Sequence, residues 1–182
     1  MKLIAITSPE FFPGEALRIA RLLEGDFSLV HLRKPHADIG DCRTLLDRLP
    51  EWCWPRIVLH DHFDLIHHYP LGGLHLNGRN PVPPARYYGQ LSCSCHSLDE
   101  VAARKQEMDY VLLSPIFDSI SKKGYASAFS PSQLEEAASQ GIIDHRVVAL
   151  GGVTLDKLPL LESWHFGGAA MLGSIWQQPF AF

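Results

Sequence analysis

The chain has 182 residues, enough for one domain whose core needs no disulfide or metal staple. With 46% hydrophobic and 20% charged residues it has the composition of a soluble globular protein. A formal net charge of −4 without a dense Lys/Arg tract argues against a nucleic-acid partner, and no apolar run approaches the ~20 residues that span a bilayer.

Short apolar runs alternate with amphipathic stretches along the whole chain. Lys2–Thr7 reads as a strand, followed by a helix over Glu15–Glu24. A second strand, Ser28–Arg33, precedes a polar loop and a helix around Cys42–Leu49. Ile57–His60 is a third strand, with a short helix near Phe63–His68. Gly73–Leu76 is a fourth; Pro81, Pro83 and Pro84 leave little room for a helix after it. Leu91–Cys95 is a fifth strand, leading into a helix over Leu98–Glu107 with Ser97 and Glu100 spaced as a capping box. Tyr110–Leu113 is a sixth, followed by a long polar loop and a helix over Pro131–Gln140. Arg146–Leu150, a helix over Leu155–Ser163, and the strand Gly168–Leu172 complete the pattern.

Runs such as Val111-Leu112-Leu113 and Val147-Val148-Ala149-Leu150 are continuous rather than alternating, as expected of parallel strands covered on both faces. Eight such strands separated by helical stretches predict α/β architecture in a single domain over residues 1–182. The choice is between a closed (β/α)8 barrel and an open doubly wound sheet. Eight units in 182 residues leave about 23 each (182/8), so some helices must shrink to turns. Met1–Thr7 is too short, and too soon interrupted by Pro9, for an export signal, so a cytoplasmic location with Cys42, Cys53, Cys93 and Cys95 reduced is expected. Cys93 and Cys95 share a strand face beside His96, but a second ligand pair with zinc spacing is missing, and buried structural thiols are the expectation.

In a parallel barrel the reactive groups gather where strands run out into loops. After the second strand, His31 and Arg33 share a face, and a guanidinium there suits phosphate or carboxylate. After the third, Asp61 in His60-Asp61-His62 has the chemistry to ligate Mg²⁺, though capping the short helix that follows is the safer reading. His75 on the fourth strand reads as internal and structural. Ser94 and His96 at the end of the fifth face one way, placing an imidazole for acid–base work. The loop Ser114–Tyr125, with hydroxyls and two lysines, reads as a lid over a phosphorylated ligand. Gly151-Gly152 and Gly173-Ser174, at the last two strand ends, have the features of a phosphate cradle: backbone N–H groups open to an anion, then a helix start.

Taken in order, Val30-His31-Leu32-Arg33, Leu59-His60-Asp61, Gly73-Leu74-His75-Leu76, Ser94-Cys95-His96-Ser97, Ser114-Pro115-Ile116-Phe117 through Lys122, Ala149-Leu150-Gly151-Gly152-Val153 and the Gly-Ala-Ala block to Ser174 resemble the thiamine phosphate synthase/TenI family. The resemblance implies the closed barrel. It also implies a phosphorylated small-molecule substrate, a thiazole phosphate, bound by Gly151, Gly152, Gly173 and Ser174, with Ser119, Ser121 and Lys122 as counterparts of the family's Thr-x-Thr-Lys loop. The synthase of this family joins a pyrimidine diphosphate to a thiazole phosphate with Mg²⁺ and releases pyrophosphate. Its Gln-x-Arg-x-Lys at the second strand appears here as His31, Arg33 and Pro35, with Lys34 out of register. Its Asn-Asp at the third appears as His60-Asp61. Its second Mg²⁺ carboxylate falls where this chain reads Asn77-Gly78-Arg79-Asn80.

The departures fall on the metal-and-diphosphate half. TenI members include thiazole tautomerases, which use a histidine in a Ser-x-His-Ser segment, and His96 occupies it. The leading expectation is therefore a tautomerase with His96 as acid/base and no cofactor. Arg33 and Lys122 complete the candidate catalytic set, and His31, His60, Ser94, Ser119 and Ser121 line the substrate. The alternatives are a divergent synthase with Mg²⁺ at Asp61, in which Lys34, Arg79, His60 or Lys123 replaces missing cations, and a non-catalytic regulator that keeps the phosphate cradle. Trp52–Trp54 and Trp164–Phe166 offer a possible homodimer contact or packed core.

Overall fold

The apolar runs become strands buried along their whole length wherever they are continuous. In the computed structural model, which describes residues 1–118 and 127–176, these strands are β3 (Ile57–Leu59), β4 (Gly73–Leu76), β6 (Tyr110–Leu113), β7 (Val147–Ala149) and β8 (Gly168–Met171). With β1 (Lys2–Ile6), β2 (Phe27–Leu32) and β5 (Gln90–Cys95) they form a closed barrel in the order β1-β2-β3-β4-β5-β6-β7-β8. The pairs β2·β3, β3·β4, β5·β6, β6·β7 and β7·β8 are parallel, and the fold is the expected (β/α)8 barrel. By contacts the chain falls into two compact units, Ile4–Leu91 and Met1–Leu3 together with the chain from Ser92 on.

In the unit Ile4–Leu91, α1 (Glu15–Glu24) buries Ile19, Ala20, Leu22 and Leu23 on one face and stops at Gly25, whose N–H donates to the Arg21 carbonyl. The helix α2 (Ile39–Asp47) begins three residues before its expected start, because the Asp38 carboxylate accepts from the Asp41 N–H and caps it there. The connections after α2 and β3 are single 3₁₀ turns, Glu51–Arg56 and Phe63–His67. Pro55 and the tight length of the repeat account for the first. Between β4 and β5 there is no helix among the described residues, as the prolines require. Trp54 donates its indole N–H to the Leu46 carbonyl and packs on Tyr69, leaving Trp52 exposed.

In the second unit, α3 (Leu98–Arg104) starts at Ser97, whose hydroxyl accepts from the Glu100 N–H. The reciprocal half of the expected capping box is displaced: the Glu100 carboxylate accepts from the His96 N–H, one residue earlier. A complete capping box opens α4 (Pro131–Ser139), between Ser130 and Gln133. The stretch Leu155–Ser163 is a 3₁₀ turn, Leu155–Lys157, leading into α5 (Leu158–Ser163). A single short turn, α6 (Gly173–Trp176), follows β8. Trp164 and Phe166 are buried, with Trp164 stacked on Phe117, so this segment is core rather than a free surface. All four cysteines are buried and unpaired, and burial pushes the Cys42 thiol up to about 11. No described helix is long and apolar enough to cross a membrane.

Candidate functional site

The candidate residues of the unit Ile4–Leu91 follow from strand parity. Side chains alternate across a strand, so His31 and Arg33 lie on one face. The registers His31↔Val58 and Val58↔Gly73 carry that face to His60 and His75, each two residues further on. His31, His60 and His75 accordingly form one cluster, 0%, 5% and 0% exposed. The Nδ1 of His31 lies 2.9 Å from the Nε2 of His60, so one ring donates to the other, and the rings of His60 and His75 stack with centroids 4.1 Å apart. Burial drives His60 well below the ordinary imidazole range, reinforced by His75, His31, Arg33 and Arg79. Burial, with Arg33 adding to it, takes His75 down to about 3. Both rings are therefore neutral at pH 7. His31 and His60, expected at the substrate, thus sit with the expected structural His75 in a buried group.

Arg33 is half-buried at the end of β2, with its backbone fixed by Thr7, whose hydroxyl accepts from the Arg33 N–H and donates to the Arg33 carbonyl. Burial and the like charge of Arg79 hold its guanidinium below the usual value, opposed by Asp61. Asp61 does not cap the short helix after β3; the cap position is His62, without a side-chain bond. Its carboxylate instead accepts from Arg79 Nε and Nη2, both at 2.9 Å, and from Asn80 Nδ2 at 3.0 Å. Asp61 raises the Arg79 guanidinium further still. Asn77 and Asn80 donate to the His60 carbonyl, and Asn77 also to that of His75, tying this loop to the histidine strands. Lys34 faces away from all of this. It is buried against Glu15 and the carbonyls of Ser8 and Glu10.

The Mg²⁺ that the family resemblance implies finds a poor fit in these residues. Mg²⁺ takes near-octahedral oxygen ligands, whereas Asp61 has both oxygens engaged by a guanidinium and an amide. The neighbouring donors are imidazoles, which suit softer ions, and the guanidinium groups of Arg33 and Arg79 have no lone pair with which to ligate a cation.

In the unit from Ser92 on, the registers Ser94↔Leu112 and Leu112↔Val148 put Ser94, His96 and Ser114 on one face by parity, with Cys93 and Cys95 on the other. His96 is exposed. Its Nδ1 lies 3.2 Å from the Ser114 carbonyl and 3.4 Å from the Ser114 hydroxyl. A carbonyl only accepts, so the contact puts a proton on Nδ1, and in the neutral ring that leaves the lone pair on Nε2. The Glu100 carboxylate on the His96 N–H and the Ser114 carbonyl on the ring together fix this histidine at both ends. Neither partner was evident from sequence; the Ser97–Glu100 spacing was the only trace of the first.

Gly151 and Gly152 turn at φ +93° and +61°, conformations that L side chains rarely adopt. A Cβ on Gly151 would stand 2.8 Å from the Pro115 Cα, and one on Gly152 would run into the Asp118 carbonyl. The turn is pressed against the segment after β6, where the Ile116 and Phe117 N–H groups donate to the Leu150 and Gly151 carbonyls. Lys157 donates to the Gly152 carbonyl at 2.7 Å, and Ser174 to the Val153 carbonyl at 3.2 Å, which brings the two glycine turns together. Among the described residues the Gly151 and Gly152 N–H groups have no acceptor. Ser119, Ser121 and Lys122 lie outside the described residues.

The family described as thiamine monophosphate synthase matches residues 3–175. The thiamine-phosphate synthase of Halalkalibacterium halodurans is 26% identical over 86% of this chain and 79% of its own length. That of Syntrophomonas wolfei is 27% identical over 95% and 87%. Among solved structures, a thiamine phosphate pyrophosphorylase from Bacteroides thetaiotaomicron is 42% identical, with a TM-score of 0.90 over 100% of this chain and 87% of that one.

Proposed function

The chain belongs to the thiamine monophosphate synthase/TenI family, and within it we propose a thiazole tautomerase that binds a thiazole phosphate and uses His96 as acid/base. The observation that carries this reading is the Asp61 carboxylate, closed by Arg79 and Asn80. A diphosphate leaving group needs its charge neutralised as it departs, and the residues that would position Mg²⁺ for it fit that ion poorly. Tautomerisation has no leaving group. A base takes one proton from a substrate carbon and returns it at another, so atoms and charge balance without a metal.

The unit from Ser92 on carries both requirements. His96 Nε2, which has no partner among the described residues, is the nitrogen that accepts and returns the proton, its ring oriented by the Ser114 carbonyl. The Gly151-Gly152 turn offers N–H groups to the phosphate, and Ser174 adds a hydroxyl.

Incubation with the non-aromatic thiazole carboxylate phosphate, followed by ultraviolet absorbance, tests the reading. His96→Gln should lower kcat by about 10²–10⁴-fold with little change in substrate affinity. A second reading, a metal-dependent synthase, is favoured by the names of the relatives, the Bacteroides thetaiotaomicron protein above all. Formation of thiamine phosphate from the pyrimidine diphosphate, the thiazole phosphate and Mg²⁺ would establish it in place of the tautomerase. Phosphate-ligand binding without turnover in either assay would leave the regulator.

A further inference from the structure

The buried cluster of His31, His60 and His75 has no part in proton transfer at His96. We propose that these three imidazoles form a binding site for a divalent first-row transition ion of the Zn²⁺ or Co²⁺ type, linking β2, β3 and β4 within the unit Ile4–Leu91. One ligand nitrogen from each residue lies within 4.8 Å of the others. In a tetrahedral Zn²⁺ site with Zn–N near 2.05 Å the nitrogens stand about 3.3 Å apart. The 2.9 Å between His31 Nδ1 and His60 Nε2 needs to open by only a few tenths of an ångström. The His60 and His75 rings, stacked with centroids 4.1 Å apart and 21° between their planes, must swing out of the stack to aim both lone pairs at one ion.

Imidazole donors select the ion. They suit Zn²⁺, Co²⁺ and Ni²⁺ and leave Mg²⁺ and Ca²⁺ to oxygen-rich sites. The loop after β4 holds the His60 and His75 carbonyls through Asn77 and Asn80, so the backbones carrying two of the ligands are fixed. Three protein ligands leave one position open. With Arg33 and Arg79 both acting on His60, the ligand suited to that position is an anion or hydroxide rather than a second cation.

The test uses the full chain, stripped with chelator and dialysed, then titrated with Co²⁺ alone and with Zn²⁺ alone. The expected result is one equivalent bound, a tetrahedral Co²⁺ spectrum, a rise in Tm with Zn²⁺, and no response to Mg²⁺. His31→Gln and His60→Asn, which insert amides of similar size, should each weaken Co²⁺ binding at least 100-fold while the circular dichroism stays that of the parent. The double variant His67→Gln/His68→Gln removes two exposed histidines outside the cluster and should bind as the parent does. Binding that survives both cluster variants, binding that disappears with His67 and His68, or an octahedral Co²⁺ spectrum would overturn the assignment. So would affinity no tighter than millimolar in the folded parent. All four outcomes are read without any activity assay, so they are independent of the tautomerase reading.

Discussion

Lys34→Met separates a structural cation from a catalytic one. Lys34 is 1% and its partner Glu15 2% exposed, and the ammonium has three donors for three acceptor groups. These are the Ser8 carbonyl at 2.9 Å, the Glu10 carbonyl at 3.0 Å and the Glu15 carboxylate at 2.7 and 2.9 Å, with the Phe11 ring 4.3 Å away. Methionine keeps the volume but strands a buried carboxylate, so the expected loss is about 3–5 kcal/mol at pH 7.5 by urea denaturation. Removing both charges, Glu15→Met with Lys34→Met, should recover most of it, because no unpaired ion remains. Burial already raises the Glu15 carboxyl against the lowering effect of Lys34. Without Lys34 it rises further. A raised acid favours the fold below its unfolded value of about 4.3 and loses that contribution as pH climbs through the folded value. The deficit of Lys34→Met should therefore be smallest near pH 4.5 and grow towards neutrality. A loss under about 1 kcal/mol, or a stable variant whose turnover collapses, would refute the reasoning and return Lys34 to the candidate site cations.

Three further outcomes follow from the geometry. Gly152→Ala places a Cβ 2.9 Å from the Phe117 carbonyl carbon at φ +61°. It should cost at least ~2 kcal/mol by thermal denaturation and weaken inorganic phosphate binding, while Gly78→Ala, with open space around it, should change neither. His60 and His75 have folded pKa values below their unfolded ones, so the stability they confer is present above about pH 6.5 and is lost as pH falls below it, for His75 down to about 3. Each contributes a slope of up to about 1.4 kcal/mol per pH unit, and a stability profile flat between pH 6.5 and 5 in the metal-free protein would contradict their burial as neutral rings. Arg79→Ala, at a pair whose arginine is 47% exposed, should cost under about 1 kcal/mol, read by urea midpoint.

Strand parity made the arrangement of Ser94 with His96, and of His31 with Arg33, legible in the sequence, because a period of two needs only the strand and not its neighbours. The glycine turns were legible for a related reason: Gly151 and Gly152 announce backbone that other residues strain to adopt. What escaped was the choice of side-chain partners, both between segments and at one helix start. The sequence gives no direct sign that Arg79 lies against Asp61, eighteen residues away, or that Glu100 reaches back past Ser97 to the His96 N–H. Lys34 reads as a mouth cation until Glu15, nineteen residues earlier, is seen to hold it in the core. Capping rules misplace Asp61 because a bidentate guanidinium outcompetes a single backbone N–H.

The substitutions in the unit Ile4–Leu91 make chemical sense as a set rather than one at a time. Three imidazoles at His31, His60 and His75 suit a borderline ion rather than a hard one, which takes oxygen donors. Arg79 closes Asp61 from inside the chain, so that the positive charge is supplied by a tethered guanidinium. A tethered cation keeps an anion in place but cannot leave with a diphosphate or follow its developing charge as a mobile Mg²⁺ can. In the unit from Ser92 on, the Gly151-Gly152 turn has the positive φ values that the proposed phosphate site needs. On the proposed reading, a monophosphate site without a mobile metal suits proton transfer rather than bond cleavage. It implies that restoring oxygen donors, His60→Asn with Arg79→Asp, would raise Mg²⁺ affinity without improving tautomerisation; a parallel gain in both would mean that the two chemistries draw on one set of residues.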